Sequence, residues 1–348
     1  MRFMIGIILI VLFLFTGTAF AEKKASFSTV LKPESIQVYE DELFINEGPA
    51  IFIYSLKDYR LKKKFGKQGE GPQEFKLSSL GIEGHKICFR IFPDSIFVSS
   101  EKKVSYFSRK GEFIKEKRIY EPLVLDLTPI GEKGENFVGR NYKAIENIPY
   151  FSVDLFNKEG KKIKEICKHQ IPYYKKENMV LWQLVSKLPE FKTDGQRIFV
   201  AGGGDFILDI YSSKGEKIKV IKQKYKKRKI TNPERIEILE TWKRDYPFIK
   251  TRWDVFKKMI NVPGYFPALR TFSVSDKKIY VQTCNIEESK TRFVILDLDG
   301  RFIRQVYLPL RYRNIIKHFP YTIDKNMLYQ LVENEDTDTW ELHVTRIK

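Results

Sequence analysis

A unit of three short strand-like runs recurs six times along this chain. Each copy opens with a polar turn and two apolar runs. In the first five copies, a tight turn and a third run then complete the unit. This turn contains glycine in every copy except the first. Within the runs, aromatic and β-branched residues alternate with Lys, Glu and Ser, which is typical of half-buried strands. The six copies begin at Asp41, Asp94, Asn136, Asp194, Asp276 and Asp324.

The sixth copy stops before its last run and so leaves a strand edge without a partner. Because unpaired edges invite aggregation, we expect another segment to cover it. The run Ser26–Leu31, ahead of the first copy, is strand-like and unused. The repeat therefore predicts an all-β protein, a six-bladed β-propeller with helical insertions whose ring is closed by an N-terminal strand.

The N-terminus has the pattern of an export signal. Arg2 precedes an apolar run from Met4 to Phe15, and Ala19-Phe20-Ala21 supplies a small-residue cleavage site. This pattern predicts cleavage after Ala21, so residues 1–21 are a signal peptide and residues 22–348 form one propeller domain in the periplasm or outside the cell. The alternative is an uncleaved N-terminal membrane anchor. No later stretch is long and apolar enough to span a membrane, so none is predicted after cleavage.

The chain is strongly basic, with 62 Lys and Arg against 44 Asp and Glu and a formal net charge of +18. Such a surface favours anionic partners. Since exported proteins rarely meet nucleic acid, the predicted partner is a protein, an anionic glycan or a lipid head group, bound by a monomer. The alternative is that the charge only keeps a β-rich surface soluble.

One basic segment is denser than the rest. Its candidate anion-binding or partner-binding residues are Lys224, Lys226, Lys227, Arg228 and Lys229. The competing interpretation is a solvated strand edge that lysine keeps from aggregating. Similar lysines at positions 161, 162, 164 and 168 favour that interpretation.

Two insertions interrupt the repeat and are predicted to be helical, at about residues 174–190 and 232–262. The first has helical spacing of its apolar residues. The second begins with Asn232-Pro233-Glu234, in which Asn is the expected cap and Pro the first helical residue. Helices placed between blades shape what binds on one face, or else they only cover apolar blade surface.

A glycine-rich segment, Phe65–Phe75, separates the first two copies. Its glycines are spaced partly like a phosphate loop, but Pro72-Gln73 stands where Lys-Ser/Thr is required, and strand-like runs flank it on both sides. We therefore interpret Gly66, Gly69, Gly71, Pro72 and Phe75 as a structural blade junction, with Phe75 packed inward.

The repeat and this junction together resemble NHL-like six-bladed β-propellers, above all the secreted bacterial type. The resemblance covers nearly all of residues 22–348, and the junction is its most specific part. It implies a fold whose members bind proteins, glycans or RNA, with a few hydrolases and lyases among them, so the fold does not choose a function.

Catalytic and metal-binding patterns are sparse. The four histidines form no His-x-x-x-His pair, and Cys167-Lys168-His169 alone could offer two ligands. The resemblance implies that propeller lactonases hold Ca²⁺ in the channel and that propeller lyases use histidine and zinc. No such set is identifiable here, so no catalytic residue, metal site or cofactor is predicted. The alternative is a propeller hydrolase or lyase with channel Ca²⁺ or Zn²⁺ bound by residues from several blades.

These observations predict an exported, non-enzymatic binding or scaffolding propeller of the bacterial cell envelope. Its ligand is expected at the channel mouth, beside the insertion at 232–262.

Overall fold

The computed structural model describes residues 21–77, 87–101, 103–119, 124–132, 134–146, 148–170, 173–176, 179–185, 189–245 and 247–348. Six antiparallel sheets of four strands form the blades of a β-propeller, as the repeat predicts. In five blades the strands follow each other in chain order from the channel outwards, and the sixth borrows its outermost strand from the N-terminus.

The first half of the chain supplies the closing strand and three blades. The closing strand is β1 (Glu22–Phe27). Blade 1 contains β2 (Ser35–Tyr39), β3 (Glu42–Glu47), β4 (Ala50–Ser55) and β5 (Leu61–Phe65), and the short β6 (Lys67–Gln68) and β7 (Glu74–Phe75) follow it. Blade 2 contains β8 (Cys88–Ile91), β9 (Ser95–Ser100), β10 (Lys103–Ser108) and β11 (Phe113–Arg118). Blade 3 contains β12 (Val124–Ile130), β13 (Asn136–Ile145), β14 (Ile148–Phe156) and β15 (Lys162–Gln170).

The second half supplies three blades and the insertions. After β16 (Tyr173–Lys176) and β17 (Met179–Gln183), blade 4 contains β18 (Glu190–Thr193), β19 (Arg197–Ala201), β20 (Ile207–Ser212) and β21 (Lys217–Lys222). Helices α1 (Asn232–Asp245), α2 (Pro247–Thr251) and α3 (Trp253–Met259) and strand β22 (Ile260–Asn261) come next. Blade 5 contains β23 (Thr271–Ser275), β24 (Lys278–Glu287), β25 (Lys290–Asp297) and β26 (Phe302–Leu308). The hairpin β27 (Tyr312–Asn314) and β28 (Lys317–His318) precedes β29 (Tyr321–Asp324), β30 (Met327–Asn334) and β31 (Thr339–Arg346) of blade 6.

The innermost strand of each blade lies just before the unit that recurs in the sequence. The three repeated runs are the second, third and fourth strands of the blade, whereas β2, β8, β12, β18, β23 and β29 are the innermost. These strands mix polar and apolar residues, as in Glu190-Phe191-Lys192-Thr193, because one edge of each faces the channel. Their alternation is therefore weak, and sequence periodicity overlooks them.

The ring is closed by the N-terminal strand. β1 pairs antiparallel with β31, from Glu22 opposite Val344 to Phe27 opposite Trp340. The predicted closure is confirmed, although the strand spans Glu22–Phe27 rather than Ser26–Leu31. Phe27 is buried, and its ring centroid lies 4.4 Å from that of Tyr54 in blade 1. The closing strand therefore joins the last blade to the first.

Glu341 is the main polar contact of this closure. Its carboxylate accepts hydrogen bonds from Asn334 Nδ2 at 2.7 Å and Lys23 Nζ at 2.6 Å, and His343 Nε2 lies 3.0 Å away. These hydrogen bonds, first from Asn334 and then from Lys23, lower the pKa of Glu341 from 4.5 to about 2. A carboxyl with a depressed pKa stabilises the fold above its unfolded pKa, and this contribution fades as the pH falls towards the folded value.

The variant Glu341→Gln is expected to lose about 1–3 kcal/mol of unfolding free energy at neutral pH, as for hydrogen bonds to a charged group. The deficit should shrink as the pH falls from 4.5 towards about 2, because the wild-type carboxyl then becomes protonated. Urea unfolding at several pH values measures this. Glu335→Gln, in the exposed turn of the same hairpin, is the control, and its unfolding free energy should stay close to that of the wild type at every pH. A deficit independent of pH would contradict the assignment.

Glycines allow neighbouring blades to pack closely against each other. In blades 2 to 5, the turn between the third and fourth strands carries a glycine with positive φ that packs on the preceding blade, on its outer strand or, for Gly160, on Ile119 just after that strand. The pairs are Gly111 on Phe65, Gly160 on Ile119, Gly215 on Ile166 and Gly300 on Ile221. A Cβ atom at Gly300 would clash with Ile221, which is buried. The repeated glycine is thus needed for contact between blades as well as for the turn.

The two predicted helical insertions have different outcomes. The segment 232–262 is helical in α1, α2 and α3, as predicted. The cap is one residue earlier than expected: Thr231 O accepts from Arg235 N at 2.9 Å, and Thr231 N donates to Glu234 Oε2 at 2.8 Å. Glu234 therefore makes the contact of a capping box in which the third helical residue accepts from the backbone N–H of the cap residue, and this contact stabilises the start of α1.

The prediction of a helix at 174–190 is wrong. Its described residues form strands β16 and β17, which pair with each other, and β17 also pairs in parallel with β22. A short apolar run such as Met179–Trp182 fits a strand and a helix equally well by periodicity, and pairing with a segment about 80 residues away settles the outcome.

Candidate functional site

The long connections between blades all lie on one face of the propeller. In a four-stranded antiparallel blade the outermost strand ends at the face where the next innermost strand begins. The connection 66–87 enters blade 2. The connections 171–189, 223–270 and 309–320 enter blades 4, 5 and 6. We refer to their described residues as the cap.

The cap is held together by its own apolar cluster. Leu184 of the first connection, Ile238, Val262 and Phe266 of the second, and Cys284 at the end of β24 are buried together. Ile315 and Ile316 of the third connection pack against them. Asn314 Nδ2 also donates to Asp245 Oδ2 at 3.3 Å. Three insertions distant in sequence therefore form one body beside the channel.

The channel contains a cavity of about 810 Å³ lined by the innermost strands of all six blades. Its wall includes apolar residues such as Phe89 and Phe191 and hydroxyl groups such as those of Ser273 and Ser275. Its charged residues comprise four cations and four carboxylates: Arg90, Arg140, Lys192, Arg270, Glu34, Asp126, Glu190 and Asp324. The site is therefore amphoteric and carries no excess of either charge.

The cap places a charged pair at the start of the innermost strands of blades 4 and 5. Glu190 follows the first connection directly, and its Oε1 accepts from Thr271 Oγ1 at 2.7 Å and lies 3.0 Å from Lys192 Nζ. Arg270 ends the second connection. Its Nη2 donates to Ile315 O of the third connection at 3.1 Å, and its guanidinium lies 5.1 Å from the ring centroid of Tyr312. The insertions thus determine which charges face the mouth.

A neutral hydrogen-bond chain lies behind this pair. Tyr321 OH donates to Gln282 Oε1 at 2.9 Å, Gln282 Nε2 donates to Tyr312 OH at 2.9 Å, and Tyr312 OH lies 2.9 Å from Thr291 Oγ1. Burial, with the Glu190 carboxylate as a further cause, raises the pKa of Tyr321 well above its usual value. Burial lowers the pKa of His318, whose ring packs edge-on against Tyr321, to about 4. Both groups are therefore neutral near pH 7.

The wall formed by blades 2 and 3 carries a second charged pair. Arg140 Nε donates to Asp126 Oδ2 at 2.6 Å, and its Nη1 donates to Pro189 O at 3.2 Å, next to Glu190. Asp126 has a φ of 54°, so its carboxylate is held by a locally strained backbone. Burial is the main cause that raises the pKa of Cys88, which lies on the same wall.

The chemistry of the cavity follows from these contacts. Tyr321 is neutral near pH 7, and burial raises the pKa of Asp324 in the lining. Ion pairs, hydroxyl groups and aromatic surface suit the binding of a polar ligand that carries both charges.

The glycine-rich segment lies between blades 1 and 2, where β6 pairs in parallel with β7. Gly66 has a φ of 83°, and a Cβ atom there would lie 2.6 Å from the ring of Phe75, which is fully buried. The loop folds around its own Glu74, whose Oε2 accepts from Gly71 N at 2.9 Å. Lys103 Nζ donates to Gly71 O at 2.8 Å, and Gly69, Gly71 and Pro72 stand outside the channel lining.

The predicted basic rim divides into two groups. Lys227 Nζ lies 2.7 Å from Asp205 Oδ1, while Arg228 donates to Cys284 O at 2.9 Å, pairs with Glu234 and stacks on Phe266. Lys224, Lys226 and Lys229 are exposed and form no ion pair with another described residue. A role in anion binding therefore stays a prediction for these three, whereas Lys227 and Arg228 have internal partners.

The remaining sequence candidates form no recognisable metal centre in the described part of the chain. No group of three or more His, Cys, Asp or Glu side chains there is arranged to hold a metal ion. Cys167 and His169 lie on β15, and burial raises the pKa of Cys167 to about 12. The three cysteines are free thiols. Among the helices of the described ranges, none combines the length and apolarity needed to cross a membrane.

The residues that line the channel were missed by sequence reasoning. Most of them lie on or beside an innermost strand, ahead of the repeated unit that marks the blade, whereas Asn46 and Arg140 lie on the second strands β3 and β13. The available signal was position: Glu190, Arg270 and Tyr321 each stand where a connection ends and strand-like sequence resumes.

Comparison with known proteins supports the fold. Neither a protein-family model nor a curated protein matches the chain. A solved structure of a member of the DUF4221 family from Bacteroides vulgatus is 12% identical, with 95% of this chain and 98% of that chain covered and a TM-score of 0.54. The β-propeller domain of Cps50 (Swd1) from Myceliophteria thermophila is 9% identical over 94% of this chain and all of the other, with a TM-score of 0.41. A luciferin-regenerating enzyme is 10% identical over 94% and 95% of the two chains, with a TM-score of 0.42. At such identities the similarity concerns the fold alone.

Proposed function

We propose that this chain is a ligand-binding β-propeller of the bacterial cell envelope, of the secreted NHL-like type, whose ligand occupies the capped channel mouth. The observation that carries the proposal is the cavity of about 810 Å³ with balanced charges, beside which three separate insertions converge. Ligand sites are usually concave, with a few polar groups fixed by the scaffold, and this cavity has that character.

Binding rather than turnover is supported by the protonation of the site. The phenol of Tyr321 and the imidazole of His318 both stay neutral near pH 7. The carboxylates of Asp126 and Glu190 are held by Arg140, Thr271 and Lys192. Groups held in this way fix a ligand by hydrogen bonds and opposite charge. Export is supported by the N-terminal signal pattern; residues 1–20 lie outside the described part of the chain.

Filling the cavity tests this proposal. Ser273→Phe places a ring in the channel lining, whereas Ser28→Phe makes the same change on an exposed residue outside it. Wild type and both variants are purified from the periplasm of the encoding bacterium, where N-terminal sequencing should begin at Glu22. Mass spectrometry then identifies what co-purifies with each.

The expected result is a co-purifying species that is present with wild type and Ser28→Phe and is lost with Ser273→Phe. Added back to wild type at 100 times its Kd, that species should raise the unfolding free energy by about 2.7 kcal/mol. Identical species from all three proteins would reject the channel as the binding site. An N-terminus retained ahead of Glu22 would reject signal cleavage but leave the channel result intact.

A further inference from the structure

The segment from Lys217 to Lys229 is the most basic part of the surface. It contains eight Lys and Arg residues and no Asp or Glu. Its first part is β21, the outermost strand of blade 4, and residues 223–228 continue outside any strand. Since it leads into α1, it runs along the outside of the propeller towards the cap.

Alternate residues of this segment face the propeller. Gln223 Nε2 donates to Gly300 O at 3.4 Å, the ring of Tyr225 stacks on that of Phe206 with centroids 6.2 Å apart, and Lys227, although exposed, pairs with Asp205. An extended chain with residues 223, 225 and 227 turned inward has its even-numbered residues turned outward. The pattern therefore assigns Lys222, Lys224 and Lys226 to one outward side.

These three lysines form a regular row of cations. Neighbours two residues apart in an extended chain are separated by about 6.5–7 Å. All three are exposed and have no ion pair with another residue of the described ranges. Lys229 is also exposed, but it falls outside this alternation, and its backbone bridges to that of Tyr265, which is 54% exposed. We call Lys222, Lys224 and Lys226 the lysine row.

Protection of a strand edge does not account for the row. Lysine on an exposed edge discourages pairing with another chain, but Lys224 and Lys226 lie beyond the end of β21 and border no sheet. The outer strand of blade 3 differs from the row, because its Lys162 is paired with Asp154 and Glu165. The segment Lys217–Lys229 carries its cations past the end of β21 without an acidic residue.

We propose that the lysine row binds an acidic polysaccharide, that is, a linear glycan with carboxylate groups repeated along its length. A line of evenly spaced ammonium groups complements a line of repeated negative charges. Single-stranded nucleic acid prefers aromatic platforms beside the cations, but within the described segment Lys217–Lys229 the only aromatic residue, Tyr225, stacks on Phe206. A lipid surface favours an apolar face that can insert, whereas Tyr225 is turned inward. The row lies outside the channel, so the two proposals stand independently.

Two triple variants with equal loss of charge test the row. The row variant is Lys222→Gln/Lys224→Gln/Lys226→Gln. The control is Lys161→Gln/Lys164→Gln/Lys168→Gln, three exposed lysines at the outer edge of blade 3. Full-length protein, wild type and variants, is titrated with polygalacturonate, neutral dextran, poly(U) RNA and vesicles of phosphatidylglycerol and phosphatidylcholine, each at several salt concentrations.

The row variant is expected to bind polygalacturonate at least about tenfold more weakly at low salt, with a salt slope smaller by about 2–3 charges. The control variant should change affinity by less than about twofold, since scattered surface charge acts weakly and is screened. If both variants lost affinity for polygalacturonate equally, the proposal would be overturned, because net charge alone would then explain the binding. Tighter, row-dependent binding to poly(U) or to vesicles would overturn it in favour of those partners.

Discussion

Phe27→Ala is expected to lower the free energy of unfolding by about 3–5 kcal/mol, as for other buried phenylalanines. Phe27 lies in the closing strand, is 3% exposed and packs against Tyr54 of blade 1. The substitution leaves a cavity at the contact between the last blade and the first. Urea unfolding monitored by tryptophan fluorescence measures the loss.

Leu31→Ala is the matched control for this prediction. Leu31 lies four residues further along and is 72% exposed, and its contacts to Glu47 and Trp340 are made by its backbone. Its substitution should change the stability by no more than about 0.5 kcal/mol. If Phe27→Ala behaved like Leu31→Ala, the N-terminal strand would not hold the ring closed.

Gly300→Ala is the second substitution with a large expected effect. Gly300 has a φ of 82°, and an alanine there pays about 1–3 kcal/mol for the left-handed backbone. Its Cβ atom also meets the side chain of Ile221 in blade 4, which adds an overpacking cost of about 1–3 kcal/mol. The predicted total is a loss of about 2–6 kcal/mol in the free energy of unfolding.

Two further variants separate the backbone cost from the contact cost. Gly195→Ala has a φ of 95° and open space around the added atom, so it carries the backbone cost alone. Ile221→Ala removes the opposing side chain, and in combination with Gly300→Ala it should give a favourable coupling energy. Losses that are equal for Gly195 and Gly300, with no coupling to Ile221, would show that the glycine serves only its own turn.

The repeat and its closure were open to prediction because their causes are local. Alternating apolar residues select strands, and in blades 2 to 5 a glycine turn marks where the third strand ends, as at Gly111, Gly160 and Gly215. The missing last strand pointed to the N-terminal segment by strand pairing alone. The same reasoning failed at 174–190, where the pairing of β17 with β22 outweighed the local pattern.

The candidate site was much less predictable. Glu190, Arg270 and Tyr321 are separated by tens of residues, and no spacing rule brings them together. They line one cavity only because each lies at the start of an innermost strand, and all six innermost strands surround one channel. The roles of the basic residues were equally hard to predict from the sequence. Lys226 and Lys227 are neighbours and both are exposed, yet only Lys227 forms an ion pair with a described residue, Asp205.

The sequence by itself determined the all-β class, the count of six blades and the source of the closing strand. These follow from hydrophobic alternation and turn residues, which act within a few residues of each other. Only the tertiary structure decided which charges face the channel, how three insertions form one cap and which lysines stay exposed. Those features depend on segments far apart in sequence, such as those of Glu34 and Asp324, which are 290 residues apart and line the same channel, and packing in three dimensions alone brings such segments together.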